Sequence, residues 1–586
     1  MSRLLTGLAV CPLELTMNLL LHPNHSKRPD TDAKTRDLLN QVIGFFEHKG
    51  LAQIKADDQS GHWYQDFLTF VKEHQVFATL LTPQGYGAPD ARWDMRRIAA
   101  MSEILGYYGL SYWYTWQVSI LGLGPIWMSP NEALKKRTAG LLQEGGIFAF
   151  GLSEKEHGAD LYATQMQLSH ASAGHYTASG DKYYIGNGNK AALVSVFGKH
   201  AETGEYVFFA VDSQHAKFQA TRKIETSGVR QAYVAAFTLN QYPLTDADIL
   251  ASGDDAWDSA LNTVNIGKYQ LGWASIGICT HALYEAVGHA ARRHLYGNPV
   301  TDFPHVKVLL TEAYTRLIAM KLFALRACDY MRSASSEDRR YLLYNPIQKM
   351  KVTMEGELVV ELLHQVIAAK GFEQDTYFEM AIRDIGMLPK LEGTVHVNVA
   401  LVTKFMQNFL FLPKDYPPVP KRDDATNDSF LFNQGPTKGL GKVSFHDYRL
   451  AFTGGSSVNR DIFLEQVAAL SNFLKSAPPS PAQSKNLDYT LQLGELFTLV
   501  PYAQLIAENQ RFYPVGEDTM ELIYRLLITD FSRFAVRFYC SQDHDEKQQA
   551  LILKMVRKPQ LNQAAFDRVW AEQVYPLKDA YQGSAL

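Results

Sequence analysis

The feature that most constrains this chain is a change of hydrophobic period midway along it. From Asp37 to Gly146 apolar residues recur at helical spacing, as in Leu38, Val42, Phe45 and Phe46, with the loop Thr82-Pro83-Gln84-Gly85-Tyr86-Gly87-Ala88-Pro89 separating helices. Between Ile147 and about Asn240 the spacing changes to short β-rich runs: Tyr183 to Ile185, Leu193 to Phe197, Tyr206 to Val211 and Ala232 to Leu239. Ser179-Gly180-Asp181 reads as a hairpin-like turn among them. After about Asp255 helical spacing returns, and Leu271, Ala274, Ile278, Ala282 and Ala286 form one long stripe to bury. The pattern predicts a mainly α chain with an inserted antiparallel β domain: helices over 1–146, β over 147–255 and a helical bundle over 256–412.

Around Pro413 to Lys442 the composition turns to Pro, Asp, Asn and Gly, and Ser476-Ala477-Pro478-Pro479-Ser480-Pro481 is a second break. Residues 413–443 therefore read as a linker. An extra helical domain over 444–586 follows, with helical stretches at Tyr448 to Leu474, Leu491 to Gln510 and Glu521 to Arg537.

With 586 residues the chain is too long for one core. Its 57 basic and 61 acidic residues leave a net charge of -4, so no overall field would hold nucleic acid or an anionic bilayer. The four cysteines, Cys11, Cys279, Cys328 and Cys540, are far apart and form no Cys-x-x-Cys, which argues against a disulfide framework or zinc ribbon and fits a reducing compartment. Leu4 to Leu21 is apolar but broken by Pro12 and Glu14, and reads as a packed N-terminal segment, with a degenerate targeting peptide as the alternative. No other apolar run reaches the roughly 20 residues a membrane span requires. The expectation is a soluble protein.

Asp543-His544-Asp545-Glu546 looks metal-like, but consecutive residues seldom converge on one ion, so it reads as a solvated loop and no metal site is expected. No Gly-x-Ser-x-Gly elbow, P-loop, or Gly-x-Gly-x-x-Gly after a strand occurs. Four other segments can support chemistry together. Phe148 to Asp160 is a strand ending in a polar loop, whose backbone N–H groups and Ser153 hydroxyl can meet the edge of a heteroaromatic ring. In Lys182-Tyr183-Tyr184-Ile185-Gly186-Asn187-Gly188 an aromatic can lie on the face of that ring while the glycines allow close approach. Arg292-Arg293-His294-Leu295-Tyr296-Gly297 ends the long helix with arginines, which suit the helix dipole or a pyrophosphate. Last come Gln365 to Phe372 and then Arg383 to Thr394, where Glu392 stands beside a glycine at the end of a segment that reads as helix. Such a carboxylate is usually a solvated helix end, but one facing a pocket is a proton acceptor.

In order and spacing these segments resemble the acyl-CoA dehydrogenase family over roughly Asp37 to Leu412. That family's Thr-Glu-Pro-Gly-x-Gly-Ser-Asp loop corresponds to Ser153 to Asp160, its Trp-Ile-Thr/Ser-Asn-Gly strand to Tyr184 to Gly188, its Arg-x-x-Phe-Gly helix end to Arg293 to Gly297, and its Glu-Gly-Thr motif to Glu392 to Thr394. The Thr82 to Pro89 loop is similar to its Pro-x-x-Tyr-Gly-Gly turn. The resemblance implies N-terminal helices, a central antiparallel β domain and a C-terminal four-helix bundle, with FAD between the β domain and the bundle. Phe150, Leu152 and Ser153 would meet the flavin ring, Tyr184 would pack on it, and Gly186 stands where the family has a Thr or Ser that bonds flavin N5. Arg293, across a subunit boundary, would meet the FAD pyrophosphate, Gln365 would contact the cofactor, and Thr394 would lie near the dinucleotide. Glu392 would be the base, and Ala159, Lys268 and Gly393 would face substrate.

The implied reaction is α,β-dehydrogenation of a medium- to long-chain fatty acyl-CoA to the trans-2-enoyl-CoA, as in β-oxidation, with electrons passing to an electron-transfer flavoprotein. Alternatives are an acyl-CoA oxidase using dioxygen and a non-catalytic scaffold or assembly protein that kept the fold. A homodimer or larger oligomer is implied, in the cytoplasm, or in the mitochondrial matrix of a eukaryote. The extra domain resembles in size and position that of very-long-chain dehydrogenases and acyl-CoA oxidases, where it would serve dimerisation, peripheral membrane contact, or cover for the bundle. The chain departs from the family at Gly186, at Ala159 for the loop serine, at Ala368-Ala369 for paired glycines, at Lys268 for an arginine and at His396 for a glutamine.

Overall fold

A computed structural model describes residues 19–23, 31–454 and 457–581. The predicted segment Leu4 to Leu21 lies outside these residues except for Leu19, Leu20 and Leu21, which are buried, and Cys11 lies outside them too.

The first helical layer comprises α1 (Ala33–Lys49), α2 (Leu51–Ser60), α3 (Gln65–Glu73), α4 (Val76–Leu81), α5 (Met95–Tyr108), α6 (Leu110–Met128) and α7 (Glu132–Gln143). Asp32, Asp94 and Asn131 start α1, α5 and α7 by accepting backbone N–H groups that a helix N-terminus leaves free. Every residue of α6 from Leu110 to Trp127 is buried, so this helix is wrapped by protein on all sides.

The β domain contains β1 (Ile147–Gly151), β2 (Gln167–Ser172), β3 (His175–Gly186), β4 (Ala191–His200), β5 (Tyr206–Val211), β6 (Phe218–Lys223), β7 (Val234–Thr245) and β8 (Ile249–Ser252). Their order is β6-β7-β3-β2-β4-β5-β8, with β1 on β4. The sheet is mixed rather than purely antiparallel, because β1 and β2 both run parallel to β4. Ser179 to Asp181 is not a turn. β3 passes straight through it, since Gly180 sits at a bulge against β7 with φ 147°, and a Cβ there would come within 2.9 Å of Met166 Cα. The turn falls at Ala173-Gly174 instead. Strands β2, β6 and β8 lie outside the predicted runs: β2 and β6 are mostly polar and exposed on one face, and β8, Ile249–Ser252, is too short to show an alternation.

The bundle is built from α8 (Asp254–Arg292), α9 (Pro304–Arg332), α10 (Tyr341–Ile367), α11 (Tyr377–Ile385), α12 (Val395–Thr403) and α13 (Met406–Phe411), with a two-strand hairpin, β9 (His294–Leu295) and β10 (Asn298–Pro299), after α8. The extra domain follows as α14 (Val458–Ser476), α15 (Pro481–Lys485), α16 (Leu487–Asn509), α17 (Glu517–Ser541), α18 (Glu546–Leu553) and α19 (Gln563–Val569). It is not a separate lobe. Arg316 of α9 pairs with Glu355 of α10 at 2.9 Å and Asp530 of α17 at 3.0 Å, so buried charges from both regions satisfy one another. A Cβ on Gly494 of α16 would come within 2.6 Å of Val399 Cγ1 on α12.

The predicted linker is a strap rather than a flexible tether. The Asp428 N–H donates to Trp93 O at 2.7 Å, its carboxylate accepts from Met95 N at 2.7 Å and from Arg332, and Arg326 donates to Val419 O at 2.7 Å. These bonds satisfy backbone that Pro-rich sequence cannot place in a helix.

Candidate active site

After α11 ends at Ile385, the chain returns through a turn to Thr394, whose hydroxyl caps α12. Glu392 therefore sits in a turn and not at a helix end. It and Gly393 adopt successive left-handed conformations, with φ 55° and 82°. For a glutamate this conformation is strained and needs outside support. Lys349 of α10 supplies it, donating from Nζ to Pro389 O at 2.7 Å and to Gly393 O at 2.5 Å. Asn398 of α12 adds bonds to Gly393 O at 3.1 Å and Thr394 O at 3.0 Å, and accepts from Lys268 of α8 at 3.4 Å.

Desolvation dominates the electrostatics. Burial pushes the Glu392 carboxyl up to about 7, against the opposing pull of the Gln117 amide, Lys349 and Lys268. Burial likewise pushes Lys349 down to about 7 and Lys268 down to about 8, each opposed by Glu392. A base with its proton affinity near neutrality thus stands between two buried amines.

The second half of the site is the end of the parallel strand β1. Beyond Gly151, Leu152 O accepts from Lys182 at 3.0 Å, while Ser153 and Tyr183 exchange two bonds: Ser153 Oγ donates to Tyr183 O at 2.7 Å and Tyr183 N to Ser153 O at 3.0 Å. Buried Glu154 holds the loop closed by accepting from Lys182 at 2.9 Å, Gln165 N at 2.8 Å and Met166 N at 3.1 Å. Next to this strand end Tyr184 has φ 63° and is 60% exposed, so its aromatic ring is left uncovered. Buried Asn187 stitches the end of β3 to its neighbours, donating to Phe148 O at 2.9 Å and to Thr115 O on α6 at 3.2 Å.

Helix α6 joins the two halves. A Cβ on Gly186 would come within 2.6 Å of Tyr114 Cε1 and 2.7 Å of Val118 Cγ2, so α6 packs directly on the end of β3. One turn further on, Gln117 donates to Gly267 O of α8 at 3.0 Å and reaches Glu392. The Tyr114 hydroxyl is held well above the usual phenol range by burial and by the Glu392 charge.

Phe150, Leu152, Ser153, Tyr184, Gly186, Lys268, Glu392 and Gly393 are thus linked through α6, α8 and the Glu392 turn, with Thr394 exposed beside them. Ala159 is exposed on the loop after Glu154. Arg293 and Gln365 lie elsewhere. Because α8 is unbroken, a rise of 1.5 Å per residue puts Arg293 about 37 Å along the axis from Lys268. On α10, Gln365 is about 24 Å from Lys349 by the same measure. Arg293 instead lies with Arg292 and Lys370, and burial together with these three cations pushes His289 down. Tyr296 and Phe372 are both exposed on the same two segments.

Sequence reasoning missed Tyr114, Gln117, Lys349, Asn187 and Asn398. The first two are polar residues spaced i, i+3 in an otherwise apolar helix, a signal the sequence does carry.

The residues fit a flavin. The strand end offers backbone and an open aromatic face, a partly buried carboxylate lies across α6 from it, and a cation cluster suited to pyrophosphate occurs on the chain. Two elements contribute less than expected: the Ser153 hydroxyl is bonded to Tyr183 O, and Ala368 takes a φ of 58° that favours glycine.

A partly buried carboxylate raised toward neutrality and a strand end with an open aromatic face thus lie on either side of α6. Residues 149–242 match the acyl-CoA dehydrogenase middle domain and residues 254–407 the acyl-CoA dehydrogenase C-terminal domain. Over these residues the chain carries the two domains that define acyl-CoA dehydrogenases. It is 21% identical to the short-chain specific acyl-CoA dehydrogenase of Megasphaera elsdenii over 374 residues, 62% of this chain and 95% of that one. It is 22% identical to the mitochondrial very long-chain specific acyl-CoA dehydrogenase of Rattus norvegicus over 374 residues, 61% of this chain and 55% of that one. The solved acyl-CoA dehydrogenase complexed with FAD from Bacillus anthracis shares the fold over 98% of this chain and 99% of its own, with a TM-score of 0.73 at 17% identity. That likeness includes the extra helical domain.

Proposed function

We propose that this FAD-dependent oxidoreductase removes the α and β hydrogens of a fatty acyl-CoA, with Glu392 as the base for the α-proton. The observation that supports this most is the partly buried position of Glu392 beside the buried Lys349 and Lys268, with its carboxyl raised to about 7. A thioester α-proton is too weakly acidic for a solvated carboxylate. When the proton moves to Glu392, negative charge leaves the carboxylate for the enolate, and the two lysines stabilise it only if it stays near them. Substrate therefore sits with its thioester carbonyl beside the Glu392 to Gly393 backbone and its β-carbon toward the β1 end. FAD, when bound, supplies the hydride acceptor.

The chain's own geometry supports a dimer reading. Arg293 is further from Lys268 than one dinucleotide reaches, so its cation cluster serves the cofactor of a second copy. Electrons leave to an electron-transfer flavoprotein, and the product is the trans-2-enoyl-CoA. Among the described residues, no helix is long and apolar enough to cross a membrane.

Anaerobic mixing of the purified flavoprotein with acyl-CoAs of graded chain length should bleach the flavin band and identify the preferred acyl group. Glu392→Gln should keep its FAD and lose bleaching by at least about a thousandfold. Undiminished bleaching would place the base elsewhere. Rapid recovery of colour in air would identify an oxidase, and slow recovery a dehydrogenase.

A further inference from the structure

Gly186 leaves a gap in the cofactor-facing segment, and a different element fills it. The edge of the Tyr114 ring lies where a side chain of residue 186 would begin, 2.6 Å from the Cβ position at Cε1 and 3.1 Å at Cζ. The packing is fixed on both sides. Asn187, which follows Gly186, bonds to the carbonyl of Thr115, which follows Tyr114 on α6, and Val118 closes the other flank. Tyr114 is only 8% exposed, and its hydroxyl makes no hydrogen bond among the described residues. Unlike the sealed hydroxyls of Tyr64, Tyr107 and Tyr112, it is not shut off from solvent, so a molecule outside the chain can reach it as a partner. The hydroxyl stands between the end of β3 and Glu392, whose charge it senses.

We infer that the Tyr114 hydroxyl is a further catalytic group, bonding the flavin ring edge from α6 in place of the side chain that Gly186 lacks. A phenol both donates and accepts, so it can partner a ring nitrogen in either redox state. The inference rests on the proposed flavin site but not on Glu392 being the base.

Tyr114→Phe keeps the ring and its packing and removes only the hydroxyl. The variant should retain FAD at wild-type occupancy, yet show a displaced visible absorption band and an altered reduction potential in the absence of substrate. Bleaching by acyl-CoA should slow by about tenfold, the effect of one lost hydrogen bond at the reacting centre. A reciprocal swap sharpens the test. Gly186→Thr alone should lose FAD because its side chain meets Tyr114 and Val118, whereas Gly186→Thr combined with Tyr114→Ala and Val118→Ala should recover FAD and the wild-type band. An unchanged band and potential in Tyr114→Phe would overturn the inference, as would a triple variant no better than Gly186→Thr. The resting spectrum needs no proton transfer, so failure here is distinct from failure of the Glu392 assignment, which Glu392→Gln reads.

Discussion

The ammonium of Lys349 meets the carbonyl of Gly393 at 2.5 Å and that of Pro389 at 2.7 Å, clasping the turn on both sides of Glu392. A buried lysine is thereby solvated by backbone and used to hold a glutamate in a left-handed conformation.

Lys349→Met should leave FAD bound while slowing bleaching by about 10- to 100-fold, because displacement of a reacting group by about an ångström costs that much. Removing the cation also raises the Glu392 carboxyl further, so the acid side of the pH–rate profile should move up. A slower variant with an unmoved profile would show that Lys349 acts only on the fold.

In the native protein the acid side of that profile follows Glu392. Its carboxyl is raised to about 7 by burial, so it holds its proton below that pH and cannot act as a base. Stopped-flow bleaching at saturating acyl-CoA should climb about tenfold per pH unit up to about 7 and fall again above about 8, where Lys349 and Lys268 have lost the protons that stabilise the enolate. A plateau extending below about pH 5 would mean the catalytic carboxyl is solvated.

The separation of Arg293 from Lys268 along α8 predicts complementation between subunits. Homodimers of Glu392→Gln or of Arg293→Ala should both be inactive or depleted of FAD. A heterodimer of the two single variants restores one intact site and should regain up to about half the native bleaching amplitude. A chain carrying both substitutions, paired with native chain, leaves each site damaged. The reverse order, activity in the mixed dimer that contains a native chain and none in the dimer of the two single variants, would place Arg293 on its own chain's cofactor.

Gly494→Val tests the coupling of the extra domain to the base. Its side chain would press on Val399 and Thr403 of α12, 2.6 and 2.7 Å from the Cβ position, and overpacking of this kind costs about 1–3 kcal/mol. Thermal stability should fall, with bleaching slowed in the surviving folded fraction because α12 anchors Asn398. Stability lost with full catalytic rate would separate the extra domain from the site.

Much of the architecture was legible because its signals are local. The helical stripe from Leu271 to Ala286 falls within α8, and the run Tyr206 to Val211 is β5 residue for residue. Gly180 misled because glycine beside Ser and Asp marks a bulge as well as a turn, and only pairing with β7 decides between them. Strand β6 was illegible since Gln219 to Arg222 face solvent, and the sheet holds it through backbone. In the site, Glu392 and Tyr184 belong to contiguous motifs. Lys349 does not. It is one of two lysines in a helix, where lysine usually points to water, and nothing in its neighbours announces that it is turned inward.

The strap over residues 413–445 has a practical consequence. A stretch rich in Pro, Asp and basic residues is where trypsin would be expected to cut between domains. Here the Lys414 N–H is bonded to Phe445 O, the Arg422 N–H to Asp329, and the Arg422 guanidinium to Arg332 O. A protease needs about ten residues of free extended chain, and this segment offers its backbone already in use. The extra domain should therefore resist excision from the folded protein, and cleavage there should report that the catalytic bundle has itself begun to open.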